Sequence, residues 1–150
     1  EHDTTVTNEG EIVAADGGGV VLGNGNDEVV NSGMIRGTTG AVDLGGGDDE
    51  LTLHGGSSTE GALVGGDGLD TLTLDVLLVG PGTGSVDEVS GFEALNVEAG
   101  HWTLEEASEF ETVSVADIAT LVALEGFSGD ATVARPTGGG RQRLESRDRG

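Results

Sequence analysis

The chain has 150 residues, a formal net charge of −22, 29 glycines and no cysteine. All but two of its 28 acidic residues lie within residues 1–134, where Arg36 is the only arginine or lysine. Such an acidic body repels nucleic acid and anionic membranes, and the lack of cysteine excludes disulfides and thiolate metal sites. A compact globule with so few large side chains would have difficulty filling its core at native density, which favours a repeating architecture.

The first repeated pattern is Asn-x-Gly-x-Ile, which occurs at residues 8–12 and again at residues 31–35. Asparagine and glycine both tolerate the left-handed backbone that sharp corners require. At the next repeat His54-Gly55-Gly56 stands at the same place, so the glycine persists and the asparagine does not. The spacing predicts one such corner in each turn of a coil.

A second pattern is a glycine-rich acidic corner that runs into a short apolar strand. It occurs at residues 22–29, 44–53 and 65–74, and its last aspartates, Asp27, Asp49 and Asp70, are 22 and 21 residues apart. A fixed period of this size, with a turn and a strand in each copy, predicts a solenoid.

Between the corners, apolar and polar residues alternate as they do in strands, for example in Ala41-Val42-Asp43-Leu44 and Leu51-Thr52-Leu53. Helical apolar spacing is absent, and a barrel of hairpins would not explain the 22-residue period. The predicted fold class is therefore all-β: a single-chain parallel β-helix with coils of about 18–23 residues, each advancing about 4.8 Å.

After Leu74 the period loosens, and the acidic corner disappears. Residues 91–97 and 110–115 align at an offset of 18, which predicts shorter coils. We expect a β-helix over residues 1–134 and a disordered or non-native tail over residues 135–150, because residues 137–150 have Leu144 as their only large apolar residue and are rich in arginine. The sequence shows no export signal and no apolar run that could span a bilayer, so we expect a piece of a longer chain.

The segment Gly65-Gly66-Asp67-Gly68-Leu69-Asp70-Thr71-Leu72-Thr73 resembles the calcium-binding nonapeptide of RTX proteins. That resemblance implies calcium as a candidate cofactor and Asp27, Asp49 and Asp70 as its side-chain ligands. RTX repeats follow one another directly, whereas about a dozen other residues separate the corners here. The favoured interpretation is that these aspartates face water and cap their own glycine corners, with no cofactor required.

The order of the motifs resembles the passenger region of autotransporter (type V secreted) proteins of Gram-negative bacteria. The resemblance covers about residues 4–134 and rests on Asn-x-Gly-x-Ile, residues 39–53, residues 91–97 and Trp102-Thr103-Leu104. It implies a right-handed β-helix that is displayed on or released from the outer membrane, often in adhesion. The arginine-rich tail from Arg141 has no counterpart in that pattern.

The sequence offers little for catalysis, and we expect no enzymatic activity. His2, His54 and His101 are far apart, and no serine lies in a Gly-x-Ser-x-Gly elbow. Adjacent residues on a strand point to opposite sides, so neither acidic pair, Asp48-Asp49 or Glu105-Glu106, is expected to converge on one substrate. Trp102 is expected in the core rather than on a carbohydrate-binding surface.

The sequence thus predicts a non-catalytic, extracellular or surface-displayed segment that serves in structural presentation or adhesion. Its expected partner is a receptor on a host or cell surface, and open coil ends would permit end-to-end self-association. Two alternatives stay open: an RTX-type protein whose folding depends on calcium, and a polysaccharide-cleaving β-helix enzyme.

Overall fold

The computed structural model describes residues 2–76, 82–106, 109–116 and 118–123, together with the backbone of residues 144–146. These residues form β-strands and no helix. The strands, in chain order, are β1 Thr5–Asn8, β2 Glu11–Ala14, β3 Gly18–Val21, β4 Glu28–Asn31, β5 Met34–Gly37, β6 Gly40–Gly46, β7 Glu50–His54, β8 Ser58–Glu60, β9 Leu63–Asp67, β10 Thr71–Asp75, β11 Thr83–Val86, β12 Val89–Ser90, β13 Ala94–Val97, β14 Gly100–Leu104, β15 Thr112–Val115, β16 Ala119–Ala123 and β17 Leu144–Ser146.

All strand pairs among the described residues are parallel, and each strand pairs with its counterpart one coil away. The first face is the sheet β1-β4-β7-β10-β13-β15, the second consists of β2-β5-β8 and β11-β14-β16-β17, and the third is β3-β6-β9-β12. The chain is therefore a parallel β-solenoid of about five turns. The predicted fold class is confirmed.

The register on the first face gives the length of each coil. Thr5, Glu28, Glu50, Thr71, Ala94 and Thr112 lie side by side in that order. Successive members are 23, 22, 21, 23 and 18 residues apart, within the predicted range. The last step is short because this coil has no strand on the third face in the described part of the chain.

The core is a column of branched apolar side chains that stack from coil to coil. On the first face Leu51, Leu72 and Leu95 are fully buried neighbours, and the intervening residues point outward, as strand alternation requires. Trp102 is 1 % exposed, and its Nε1 donates a hydrogen bond to the carbonyl of Ala99, 2.9 Å away. The expectation that Trp102 belongs to the core is confirmed.

The asparagine corners are built around two buried amides. Asn8 Nδ2 donates to Asn31 Oδ1 over 2.8 Å, and Asn31 bonds the N–H and the carbonyl of Gly33. In the next coil Leu53 lies beside Asn31, so the stacking position becomes apolar and the corner lengthens by two residues before Ser58 pairs with Met34. His54 follows this position rather than replacing the asparagine.

The predicted tail, residues 135–150, lies outside the described residues except for the backbone of β17. That backbone runs parallel to β16, with Leu144 beside Leu121.

Candidate functional site

Three glycine-rich corners, residues 22–27, 44–49 and 65–70, stack where the third face meets the first. We call them the corner stack. Gly45 lies beside Gly66, and Gly46 pairs with both Asn24 and Asp67. Gly66 has a φ of 119°, and a Cβ on it would collide with the carbonyl oxygen of Gly45. Only glycine permits this close backbone stacking.

The aspartates that end these corners form an inner carboxylate column. Asp27 and Asp49 are 2 % exposed and Asp70 is 0 % exposed. The expectation that these aspartates face water is therefore wrong. A Cβ on Gly65 would lie 2.8 Å from Asp70 Oδ2, so the absence of a side chain there leaves room for this carboxylate.

Each carboxylate of the column accepts a hydrogen bond from the backbone of the coil before it. Asp27 Oδ1 accepts from the N–H of Thr4 (2.7 Å), Asp49 Oδ1 from that of Asp27 (2.7 Å) and Asp70 Oδ1 from that of Asp49 (2.8 Å). Glu93 Oε2 extends the series to the N–H of Asp70 (2.8 Å). The carboxylates therefore cap neighbouring coils and not their own turns.

A second, outer series of hydrogen bonds involves the residue before each of these aspartates. In this series the side chain accepts from the backbone of the following coil. Asp3 Oδ1 accepts from the N–H of Asn26 (2.9 Å), Asn26 Oδ1 from that of Asp48 (3.0 Å) and Asp48 Oδ1 from that of Leu69 (3.1 Å). Adjacent residues of one corner thus bond opposite neighbours. The sequence reading missed Asp3, Asn26 and Glu93, although Glu93 lies 23 residues after Asp70, one period further on.

Two buried oxygens of the inner column lack hydrogen-bond partners. Asp49 Oδ2 and Asp70 Oδ2 are inaccessible and have no hydrogen-bond partner among the described residues. Burial raises the pKa of Asp70 to about 6; the N–H of Asp49 lowers it, and the charges of Asp49, Glu93 and Asp48 raise it further. The pKa of Asp49 is also raised, chiefly by burial.

The predicted calcium ligands lie in one column, about 4.8 Å apart from coil to coil. Within the described ranges, no group of three or more histidine, aspartate or glutamate side chains converges as a metal site requires. Calcium takes six to eight oxygens, whereas one oxygen of each of these carboxylates already accepts a backbone N–H. Asp49 Oδ2 and Asp70 Oδ2 are the fully buried oxygens of the column without a partner among the described residues. The assignment of Asp27, Asp49 and Asp70 as ligands stays a prediction.

The other candidate residues are dispersed. Asp48 is exposed while its neighbour Asp49 is buried, and both Glu105 and Glu106 are exposed. His2 and His101 are exposed on different coils, and half-buried His54 has an Nδ1 without a partner among the described residues. The structure does not gather these groups around one point.

Searches against protein-family models, curated proteins and solved structures found no match. In the described part of the chain no helix is long and apolar enough to cross a membrane.

Proposed function

We propose that this chain is a non-catalytic segment of a secreted or surface-displayed protein of autotransporter-like type, in which the solenoid presents binding surfaces at a distance or adheres itself. One observation carries the proposal. The acidic groups that could have formed a reactive site are used to hold successive coils together, because Asp27, Asp49 and Asp70 each bond the backbone of the coil before.

The charge distribution supports the same proposal. Outward positions on the first face in the later coils carry small uncharged side chains, as at Thr73, Asn96 and Ser114, which lie side by side. Most exposed acidic residues lie at corners or at the ends of strands, for example Asp48 and Asp67. A stiff, strongly acidic rod stays soluble and keeps other rods apart by like-charge repulsion.

A display experiment tests the proposal. The full chain is placed between an export signal and an outer-membrane translocator in a Gram-negative host, with an epitope inserted beside Ser57. We expect antibody to label intact cells, and the cells to bind host-cell monolayers more than cells that display the translocator alone. Leu72→Asp, which places a charge at a fully buried position, is the unfolded control.

Two outcomes would each contradict a part of the proposal. Absence of labelling on intact cells, although the full-length fusion is made, argues against display. Binding no greater than that of the Leu72→Asp control argues against adhesion, and only the presentation role would then stand.

A calcium-stabilised fold of RTX type is the second candidate, and the unpaired buried oxygens Asp49 Oδ2 and Asp70 Oδ2 favour it. Circular dichroism of the full chain with calcium and then with chelator separates the two candidates. Strand signal that appears only with calcium would support this second function, and an unchanged spectrum would eliminate it.

A further inference from the structure

Three dipeptides in the described residues place glycine directly after aspartate or asparagine: Asp16-Gly17, Asn24-Gly25 and Asp67-Gly68. The side chains of all three acidic or amide residues are exposed. In such a dipeptide the glycine amide nitrogen can attack the side-chain carbonyl carbon, because glycine offers no steric hindrance. A hydrogen bond from the same N–H opposes the attack, since it holds the nitrogen in place.

Two of the three glycine amides are held in this way. Gly17 N–H donates to Thr38 Oγ1 over 2.9 Å, and Gly25 N–H donates to the carbonyl of Gly46 in the next coil, also over 2.9 Å. At the corresponding position of the following corner Gly47 N–H donates to the carbonyl of Asp67 over 2.8 Å. The first two corners of the stack therefore protect this amide with a carbonyl of the coil after them.

Gly68 has the same position in the last corner of the stack, and the coil after it lacks the corner. Val64 pairs with Ser90 and Thr71 pairs with Ala94, so residues 91–93 run beside residues 65–70. No carbonyl of that coil meets Gly68, whose N–H has no partner in the described part of the chain. Residues 67–69 are all exposed.

We propose that Asp67-Gly68 is a site of spontaneous isoaspartate formation in the folded protein. The nitrogen of Gly68 forms a bond to Cγ of the neutral Asp67 carboxyl group, the Cγ–OH bond breaks, and the amide proton and the hydroxyl leave as water. Water then opens the resulting succinimide at either carbonyl, which gives aspartate or isoaspartate. At Asn24 the same attack would release ammonia.

The experiment compares Asp67 with Asn24 in one sample. The full chain is incubated warm at mildly acidic pH, folded or in urea, and is then cleaved after glutamate. This cleavage releases Asp67 in residues 61–88 and Asn24 in residues 12–28. Isoaspartate is detected by chromatographic shift and by methyl transfer from an isoaspartyl methyltransferase, and deamidation by the mass difference between amide and acid.

In the folded chain we expect isoaspartate to accumulate at Asp67 while Asn24 stays intact. In urea the order should invert, because asparagine is the more reactive residue once both glycine amides are released. Asp67→Glu should abolish the modification, since the longer side chain would close a less favourable six-membered ring. Asp67→Asn should deamidate faster than Asn24 in the folded protein.

Two results would overturn the proposal. One is deamidation of Asn24 at a rate equal to or above the change at Asp67 in the folded chain. The other is a folded Asp67 that stays unchanged while the same residue reacts in urea. Both positions are exposed, and the wild-type comparison does not depend on the folding of any variant.

Discussion

The carboxylate of Asp70 accepts a hydrogen bond from the backbone N–H of Asp49, 2.8 Å away in the preceding coil, while its second oxygen has no partner among the described residues. One oxygen of this side chain therefore joins two coils, and the other is buried at an energetic cost. The balance between these two effects depends on whether the group is ionised.

The stability of the solenoid is expected to rise on mild acidification. The folded pKa of Asp70, about 6, exceeds the ordinary value of 3.8, so between these values the folded chain binds more protons than the unfolded one. The stability penalty is fully present above the folded pKa, decreases steadily as the pH falls from about 6 towards 3.8, and is gone only below the unfolded pKa. The difference between the folded and unfolded pKa of Asp70 corresponds to at most about 3 kcal/mol. Urea unfolding between about pH 7.5 and 5 measures the change.

The variant Asp70→Asn should remove most of this pH dependence. Asparagine keeps an oxygen for the N–H of Asp49 and carries no charge, so the variant should exceed the wild type in stability near neutral pH. Asp3→Asn is the matched control, because Asp3 is exposed, also accepts a backbone N–H and is not among the charges that raise the pKa of Asp70. A wild-type stability that falls on acidification over this range would contradict the prediction.

Gly66→Ala is expected to destabilise the corner stack by more than about 2 kcal/mol. The alanine would adopt an unfavourable positive φ, and its Cβ would collide with the carbonyl oxygen of Gly45. Gly23→Ala is the control, since a Cβ there meets nothing within 4 Å. Thermal unfolding of the two variants gives the comparison, and equal losses in both would contradict the stacking argument.

Asn31→Leu should cost about 2–4 kcal/mol even though Leu53 occupies the neighbouring stacking position. The leucine would leave the N–H and carbonyl of Gly33, and one donor of Asn8, without their present partners. Asn96→Thr, on the outward side of β13, should change stability little. If a double-mutant cycle of Asn8 and Asn31 gave no coupling energy, the two amides would not act as a pair.

Gly84→Ala should disturb the region around Trp102, because a Cβ on Gly84 would overlap the indole ring. Trp102 is the only tryptophan, so its fluorescence reports this coil alone. We expect a blue-shifted emission in the wild type, a red shift in Gly84→Ala and a lower melting temperature. Gly82→Ala meets no neighbour within 4 Å and is the control. An unchanged emission in Gly84→Ala would contradict the packing.

The repeat length and the strand positions could be predicted from the sequence because both depend on short-range periodicity. Asp27, Asp49 and Asp70 marked the period, and the two phenylalanines Phe92 and Phe110, buried in successive coils, marked the shorter coil. These signals repeat, so a single chain contains several copies of the same information.

The direction of the corner aspartates could not be predicted in the same way. A turn aspartate ordinarily points to water, and only the three-dimensional structure reveals that the bare backbone of Gly65 leaves room for the carboxylate of Asp70. Similarly, the hydrogen bond from Asp70 N–H to Glu93 could be predicted only by knowing that the coil after Asp70 lacks a glycine-rich corner. Both features depend on contacts between coils and not on local sequence.

Because the inner and outer series of hydrogen bonds run in opposite directions, the solenoid can gain or lose complete coils without losing these bonds. In each corner the last residue accepts a hydrogen bond from a backbone N–H of the preceding coil. In the first two corners the residue before it accepts one from a backbone N–H of the following coil. A tandem duplication of residues 28–49 would therefore reproduce every such bond, whereas an insertion within a corner would break bonds to both neighbouring coils. Insertions elsewhere on the coil, such as the two extra residues before Ser58, leave both series intact. The reach of the rod can thus change during evolution only in whole steps of about 4.8 Å.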